Sequence, residues 1–392
     1  NGFRVVDLGI KCPPEDLIRA VKEHRPDMVG LSGLLVKSAQ QMVATAEDMK
    51  NAGVQLPVLV GGAALSEKFT STKIAPSYGG GDVFYAKDAM AGLDLANRLM
   101  GKETRETLVK ANRVRQEDLR EGAVAATPKP AGPRAIISHG ETSPTPPDLK
   151  LHVLDDFRVE DIFRYINPVM LYGKHLGLRG TIQKLLDAGD EKAIKLHQDV
   201  TSLQDEIIAK GLIKPKATWR FVSAESAGDD LRVYDSPGTV EPLTTFSFPR
   251  QSSGEGLCLA DFVRPGSTGK RDFVAFFVVT CGQGIMDLSR EWREKGDYLK
   301  SHAIQSIAIE SAEAFAELLH ERLRAMWGFP DASTLTLSDR FQSRYRGTRV
   351  SFGYPACPAL EDQEKLFHLL KPSSIGVTLT ENYMMEPEAS VS

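Results

Sequence analysis

Cysteine is scarce in this sequence: four among 392 residues, Cys12, Cys258, Cys281 and Cys357, far apart and without C-x-x-C spacing. That pattern excludes a disulfide framework and a thiolate zinc site, and it suits a reducing cytoplasm. No apolar run approaches the ~20 residues that a membrane-spanning helix needs. The first residues form neither a basic leader nor an apolar signal core. An excess of one charge is missing too, since 48 basic against 52 acidic residues leave −4, which argues against nucleic acid as the main partner. No G-x-G-x-x-G opens a helix and no phosphate loop occurs. His320-Glu321-Arg322 starts like a zinc-protease motif, but position 324 is Arg, so the second His is absent.

What is present predicts two or three domains, at roughly 100–200 residues each. Residues 1–100 alternate short apolar runs with amphipathic stretches, the pattern of a parallel sheet flanked by helices. Strands are expected at Val5 to Ile10, Met28 to Leu34, Pro57 to Gly62 and Asp82 to Tyr85, with helices from Pro13 to Glu23 and over 38–52 and 89–100. A doubly wound sheet places its ligand at the carboxyl ends of its strands, which singles out the loops 11–14, 32–38, 61–66 and 86–89. Residues 101–149 form a separate stretch: a charged, solvated helix over 102–122, then a proline-rich linker over 123–148 with too little apolar area to fold. Residues 150–392 change style. Helices are expected at 159–166, 181–189, 191–210, 288–300 and 302–326, and strands at 217–225, 230–235, 242–248, 257–263, 272–280 and 376–380. Short turns between those strands give an α+β domain with an antiparallel sheet.

Two small-residue loops stand where a ligand enters the first domain: Leu31-Ser32-Gly33-Leu34 with Ser38 beyond it, and Gly61-Gly62-Ala63-Ala64. Glycine allows close backbone approach and a serine hydroxyl both donates and accepts; ordinary strand-to-helix turns use the same residues. In the second domain Arg349-Val-Ser-Phe-Gly353-Tyr354-Pro355-Ala356-Cys357-Pro358 sets a permanent cation before a rigid glycine-proline turn. Such a cation can take a carboxylate in a bidentate pair, or it can serve a surface salt bridge.

Taken in order, Gly2-Phe-Arg-Val-Val-Asp-Leu-Gly-Ile-Lys-Cys-Pro-Pro, Leu31-Ser-Gly-Leu, Val60-Gly-Gly-Ala63 and Tyr85-Ala-Lys-Asp-Ala89 resemble the cobalamin domain of the cobalamin-dependent methionine synthases. Arg349 to Pro358 resembles that family's S-adenosylmethionine loop. Leu257-Cys-Leu-Ala-Asp261-Phe262-Val263 and Ala312-Glu313 to Arg322 extend the resemblance. It implies a Rossmann-like α/β cobalamin domain followed by an α+β activation domain, with cobalamin-tail contacts at Ser32, Gly61, Gly62 and Ala89. It makes Ser38 the member of a catalytic Asp-His-Ser relay beneath the cobalt. It assigns Arg349 to the ligand's α-carboxylate and Gly353, Tyr354, Pro355 and Ala356 to the lining, with Glu313 as an anchor. At the family's acidic position Asn167 stands, able to accept from the α-ammonium but not to neutralise it.

The family's Asp-x-His-x-x-Gly, whose His ligates cobalt, is not in this chain, and Val36-Lys37 replace its Thr-Pro. Asn1 and the polar end at Ser392 are expected to be truncation points, the family's last aromatic segment lying beyond. The implied activity is methyl transfer from methyltetrahydrofolate through cobalamin to homocysteine, with folate and homocysteine modules, zinc among them, in the parent chain. This portion's own step is reductive remethylation of cob(II)alamin, with an electron from a flavodoxin-type or diflavin reductase. Two other readings stay open: a non-catalytic corrinoid-binding or sensing protein, and a methyltransferase that needs no cobalamin.

Overall fold

The computed structural model divides the chain into two units, residues 1–129 and 130–392. It describes residues 2–9, 12–33, 36–62, 65–79, 81–125, 137, 144–251, 256–381 and 383–392, the side chains of 36, 37 and 122–125 aside. Ile10, Leu34, Ala63, Ala64 and most of the expected linker lie outside the described residues.

In the first unit α1 (Pro14–His24) starts on a proline that needs no amide partner in the first turn. Then come β1 (Val29–Ser32), α2 (Val36–Asn51), β2 (Val58–Gly61), a helical run of α3 (Glu67–Phe69), a π turn and α4 (Ala75–Tyr78), then β3 (Val83–Ala86), α5 (Ala89–Met100) and α6 (Lys102–Ala125). The sheet is parallel in the order β1-β2-β3, with Val29, Val58 and Val83 side by side. Its core holds Met49, Val60, Ile74 and Tyr78, all fully buried, and the Tyr78 hydroxyl donates to the Leu56 carbonyl at 2.8 Å.

Two expectations fail in this unit. Residues 5–9 form no strand and stay exposed, Val5 at 78%. An apolar, β-branched run becomes a strand only when a ladder partner satisfies its backbone, and these residues have none among the described ones. The helix expected to be solvated packs instead: Leu108 and Gln116 are buried, and the side-chain amides of Asn112 and Gln116 donate to the Val83 carbonyl at 2.9 and 2.8 Å. α6 thereby covers the sheet edge at β3, which would otherwise present unpaired backbone.

The second unit begins with β4 (Leu151–Leu154), α7 (Val159–Phe163), a π-helical turn over Val169–His175, α8 (Ile182–Asp187) and α9 (Glu191–Lys210). Asp190 caps α9 by accepting from the Ala193 amide, and Gly211 ends it in the left-handed region. β5 (Lys216–Ala227), β6 (Asp230–Tyr234), β7 (Thr244–Ser247) and β8 (Asp272–Thr280) follow, then α10 (Ile285–Glu294), α11 (Tyr298–Met326), α12 (Leu337–Phe341), α13 (Asp362–Leu370), β9 (Thr378–Leu379), β10 (Met385–Glu386) and β11 (Ser390–Val391). The main sheet is antiparallel in the order β11-β8-β5-β6-β7, with β4 also on β5. Both domain folds thus agree with expectation.

Period-two alternation divides β5 and β8 between two cores. Ala217, Phe221, Phe277 and Val279 face the helices α9 to α11, while Val222, Ala224 and Val278 face Phe352, Leu366 and Ile375. Each fully buried Phe or Ile contributes about 1.5–3 kcal/mol. The strand expected over 257–263 is instead a 3-10 turn, Leu259–Phe262. Asp261 bends it by accepting from the Cys258 amide at 3.1 Å while pairing with Arg250, so the segment closes on itself rather than joining a ladder.

Candidate functional site

α11 is the most buried helix of the second unit, and its interior carries Ile304, Ile307, Ala308, Ala312, Phe315 and Leu319. Glu310, also on that face, is matched by His175 at 2.8 Å, both about 4% exposed, as a buried carboxylate requires. A second stripe, Glu313, Glu317, His320, Glu321 and Arg324, runs at helical spacing. It receives the segment 329–354, irregular apart from α12. Arg324 pairs with Asp331 through two hydrogen bonds of 2.8 and 2.6 Å, both side chains about 5% exposed or less. Arg340 bridges Asp331 and Glu321, and the Tyr165 hydroxyl donates to Glu321. Burial and that carboxylate push Tyr165 up to about 12. Arg324 lies 4.2 Å over the Tyr345 ring, which meets His320 edge-on with centroids 5.0 Å apart. Buried there, and beside Arg324 and Arg349, His320 falls to about 3 and is neutral at any physiological pH.

Arg349 ends this strap. Its Nη2 donates to Glu317, and the two side chains are 16% and 14% exposed. Burial opposes the guanidinium charge, but Glu317 and Glu313 outweigh it and raise Arg349 above its usual range. Arg349 Nε is buried without a hydrogen-bond partner. Beyond it the chain turns at Gly353, whose φ of 91° favours glycine. The Gly353 amide donates to the Cys357 carbonyl and the Cys357 amide to the Tyr354 carbonyl, each at 2.9 Å. The Cys357 thiol donates to the Ser351 carbonyl, so this buried cysteine is a brace. Tyr354 is 39% exposed at the mouth, and burial followed by the field of Glu313 raises its phenol. Pro355 is exposed and Ala356 half-buried on the same turn.

The structure therefore gathers Arg349, Glu313 and Tyr354, three of the residues expected from sequence, with the turn 353–356. One cation beside two carboxylates can hold a zwitterion: a ligand carboxylate on the guanidinium and a ligand cation on the glutamates. Asn167 makes a local hydrogen bond. Its side-chain oxygen accepts from the Val169 amide at 3.0 Å and caps the π-helical turn. Glu317, Glu321, Arg340 and Tyr345 escaped sequence reasoning. The recurrence of Glu at 313, 317 and 321, one helical turn apart, was the available signal.

In the first unit the expected residues meet at the carboxyl ends of the strands. The Gly33 amide donates to the Gly61 carbonyl at 2.9 Å. A side chain at Gly33 would lie 3.1 Å from Ser38 Cβ, one at Gly62 (φ 114°) would run into the Gly33 backbone, and one at Gly61 would lie 2.8 Å from the Ala86 carbonyl. Gly61 and Gly62 are thus required by backbone packed against backbone, and Gly33 by the side chains of Met42 and Ser38, whatever binds outside. Ser32 and Ala89 are exposed, Ser38, Gly61 and Gly62 half-buried, and Asp88 caps α5 by accepting from the Ala91 amide. Among the described residues no group of three or more His, Cys, Asp or Glu is placed to hold a metal ion, and no helix is long and apolar enough to cross a membrane.

Comparison with known proteins adds three findings. Residues 158–392 match the family "Vitamin B12 dependent methionine synthase, activation domain", and residues 1–93 match the "B12 binding domain". Curated proteins named methionine synthase from Mycobacterium tuberculosis (strain ATCC 25618 / H37Rv) and Mycobacterium leprae (strain TN) are 31% and 30% identical over 427 and 430 aligned residues. Each alignment takes in 100% of this chain but 35% of the relative, so the chain spans about a third of their length. A crystal structure of the MetH reactivation domain bound to AdoHcy superimposes with a TM-score of 0.60 at 28% identity, over 64% of this chain and 79% of that one.

Proposed function

The chain belongs to the family of the vitamin B12 dependent methionine synthase activation domain, and from that premise we propose that it binds S-adenosylmethionine in its second unit and a cobalamin in its first, and serves the reductive remethylation of that cobalamin. The observation that carries the reading is the mostly buried Arg349, paired with Glu317 and followed in the chain by the turn 353–356, with Glu313 and Tyr354 within its field. This donor set fits the ligand's charges. Arg349 takes the α-carboxylate, Glu313 faces the cationic side, and Tyr354 with the turn walls the slot. Asn167 remains a candidate for the α-ammonium through its amide oxygen.

The carboxyl edge of the first unit fits the elongated tail of a cobalamin, because Ser32, Gly61, Gly62 and Ala89 offer small, accessible groups. To Ser38, packed against Gly33, this reading assigns the closing position of a hydrogen-bonded relay. None of these residues is a cobalt ligand. When bound, the corrinoid supplies the cobalt centre that accepts a methyl group, and a flavodoxin-type or diflavin reductase is the proposed source of the single electron. The wider activity, methyl transfer from methyltetrahydrofolate to homocysteine, belongs with the folate and homocysteine modules of the longer relatives, in the cytoplasm.

Calorimetric titration of the full chain tests the assignment. Arg349→Ala is expected to weaken S-adenosylmethionine binding about 100-fold, the loss of a charge-assisted pair, and to leave the affinity for a corrinoid unchanged. Equal binding of S-adenosylmethionine by both proteins would sink it. Corrinoid binding with no S-adenosylmethionine binding in the wild type would favour a corrinoid-sensing protein.

A further inference from the structure

We propose that Glu317 is a positioning residue that orients Arg349 for recognition of a ligand carboxylate; this rests on the reading of Arg349 as the carboxylate receptor. Arg349 is carried by a stretch, 345–350, that is neither helix nor strand, so its own backbone does little to fix a long, rotamer-rich side chain. The guanidinium is nonetheless mostly buried, and its Nε edge has no partner to set its direction. The hydrogen bond from Nη2 to Glu317 ties it to the rigid α11. A carboxylate held on the most buried helix of the unit is a fixed reference. An incoming carboxylate then meets a guanidinium that no longer has to be ordered on binding.

Glu317 also differs in kind from its neighbours on the stripe. Glu321 is taken up by Arg340 and Tyr165, a latch within the strap, whereas Glu317 holds the receptor side chain itself. Truncating Glu317 is therefore expected to act on the carboxylate of the ligand and not on its adenosine.

The test uses the full chain and two stable thioethers, S-adenosylhomocysteine and its decarboxylated counterpart 5′-(3-aminopropylthio)adenosine, titrated by calorimetry. The wild type is expected to prefer the carboxylate-bearing ligand, and Arg349→Ala to abolish the preference. Glu317→Gln should cut that preference about tenfold, as expected for one charge-assisted hydrogen bond, with the affinity for the decarboxylated ligand unmoved. Glu317→Asp, which keeps the charge and guards against a misfolded Gln variant, should hold the preference within about threefold of the wild type. A preference that Arg349→Ala removes and Glu317→Gln leaves intact overturns the proposal alone, as does an equal loss for both ligands. A wild type without any preference overturns the receptor reading of Arg349 and the proposal with it.

Discussion

His320 makes the second unit acid-sensitive in a way that can be isolated. Burial, reinforced by Arg324 and Arg349, lowers its pKa to about 3, against about 6.5 for an unfolded chain. Between those values the unfolded state binds a proton that the native state refuses, so stability conferred by the neutral ring is complete above pH 6.5 and is lost progressively as pH falls toward 3. Linkage gives about 1.4 kcal/mol per pH unit in that window, hence about 2 kcal/mol between pH 7 and pH 5. All three tryptophans, Trp219, Trp292 and Trp327, lie in this unit, so intrinsic fluorescence during urea unfolding reports it without the first unit. Depressed carboxylates such as Asp331 add a loss of the same sign at lower pH. Comparing wild type with His320→Gln at both pH values cancels them. The wild type should lose about 2 kcal/mol more than the variant on going from pH 7 to pH 5, whatever the absolute cost of the substitution. Equal losses would refute the placement of His320 as a buried neutral ring among cations.

Further outcomes follow from the same packing. Asp331→Asn leaves Arg324 buried against a neutral partner and leaves Arg340 with Glu321 as its charged partner, and should cost about 3–5 kcal/mol in the same fluorescence assay. Gly62→Ala forces a side chain into the Gly33 backbone at a left-handed φ and should destabilise the first unit by at least about 2 kcal/mol, read by limited proteolysis of residues 1–129 with the second unit's fluorescence transition unchanged. Glu310→Ala strips a buried His175 of its partner and should lower the unfolding free energy of the second unit by a comparable amount, about 3 kcal/mol, whereas Glu291→Ala, which removes only an exposed pair with Lys295, should cost under about 1 kcal/mol.

Where local chemistry decides an element, the sequence was a sufficient guide. α9 runs over 191–210 because Asp190 and Gly211 cap an amphipathic stretch, and β8 runs over 272–280 because the seven-residue apolar run 273–279 has no other way to be buried on both faces. Where a partner decides, it was not. Val5 to Gly9 has strand composition and no ladder among the described residues; α6 has the charge of a solvated helix, yet Asn112 and Gln116 find the Val83 carbonyl on β3. Residues 257–263 read as a strand until Arg250, far from them in the ladder sense, engages Asp261. β4, β10 and β11, with four residues or fewer, carry too few positions for a period to register.

The candidate site divides along the same line. Arg349 and the turn 353–358 were legible because glycine, proline and a fixed cation leave few conformations open. Glu317 was not, because a helical glutamate is most often solvated and nothing local distinguishes it from Glu313 or Glu321. What distinguishes it is the strap 329–349, an exposed segment with little apolar burial that lies on α11 by charge: Asp331 on Arg324, Arg340 on Glu321, Arg349 on Glu317. Each pair fixes the register of the next along the helix, at intervals near one turn. Moving the strap by a single turn would set Arg349 against Glu313 or Glu321, and would pull Asp331 from Arg324, leaving a buried cation unpaired at a cost of about 3–5 kcal/mol. The buried pair at the far end of the strap thereby holds Arg349 in place at the near end, which explains why so polar a segment is built with one ion pair so deeply enclosed.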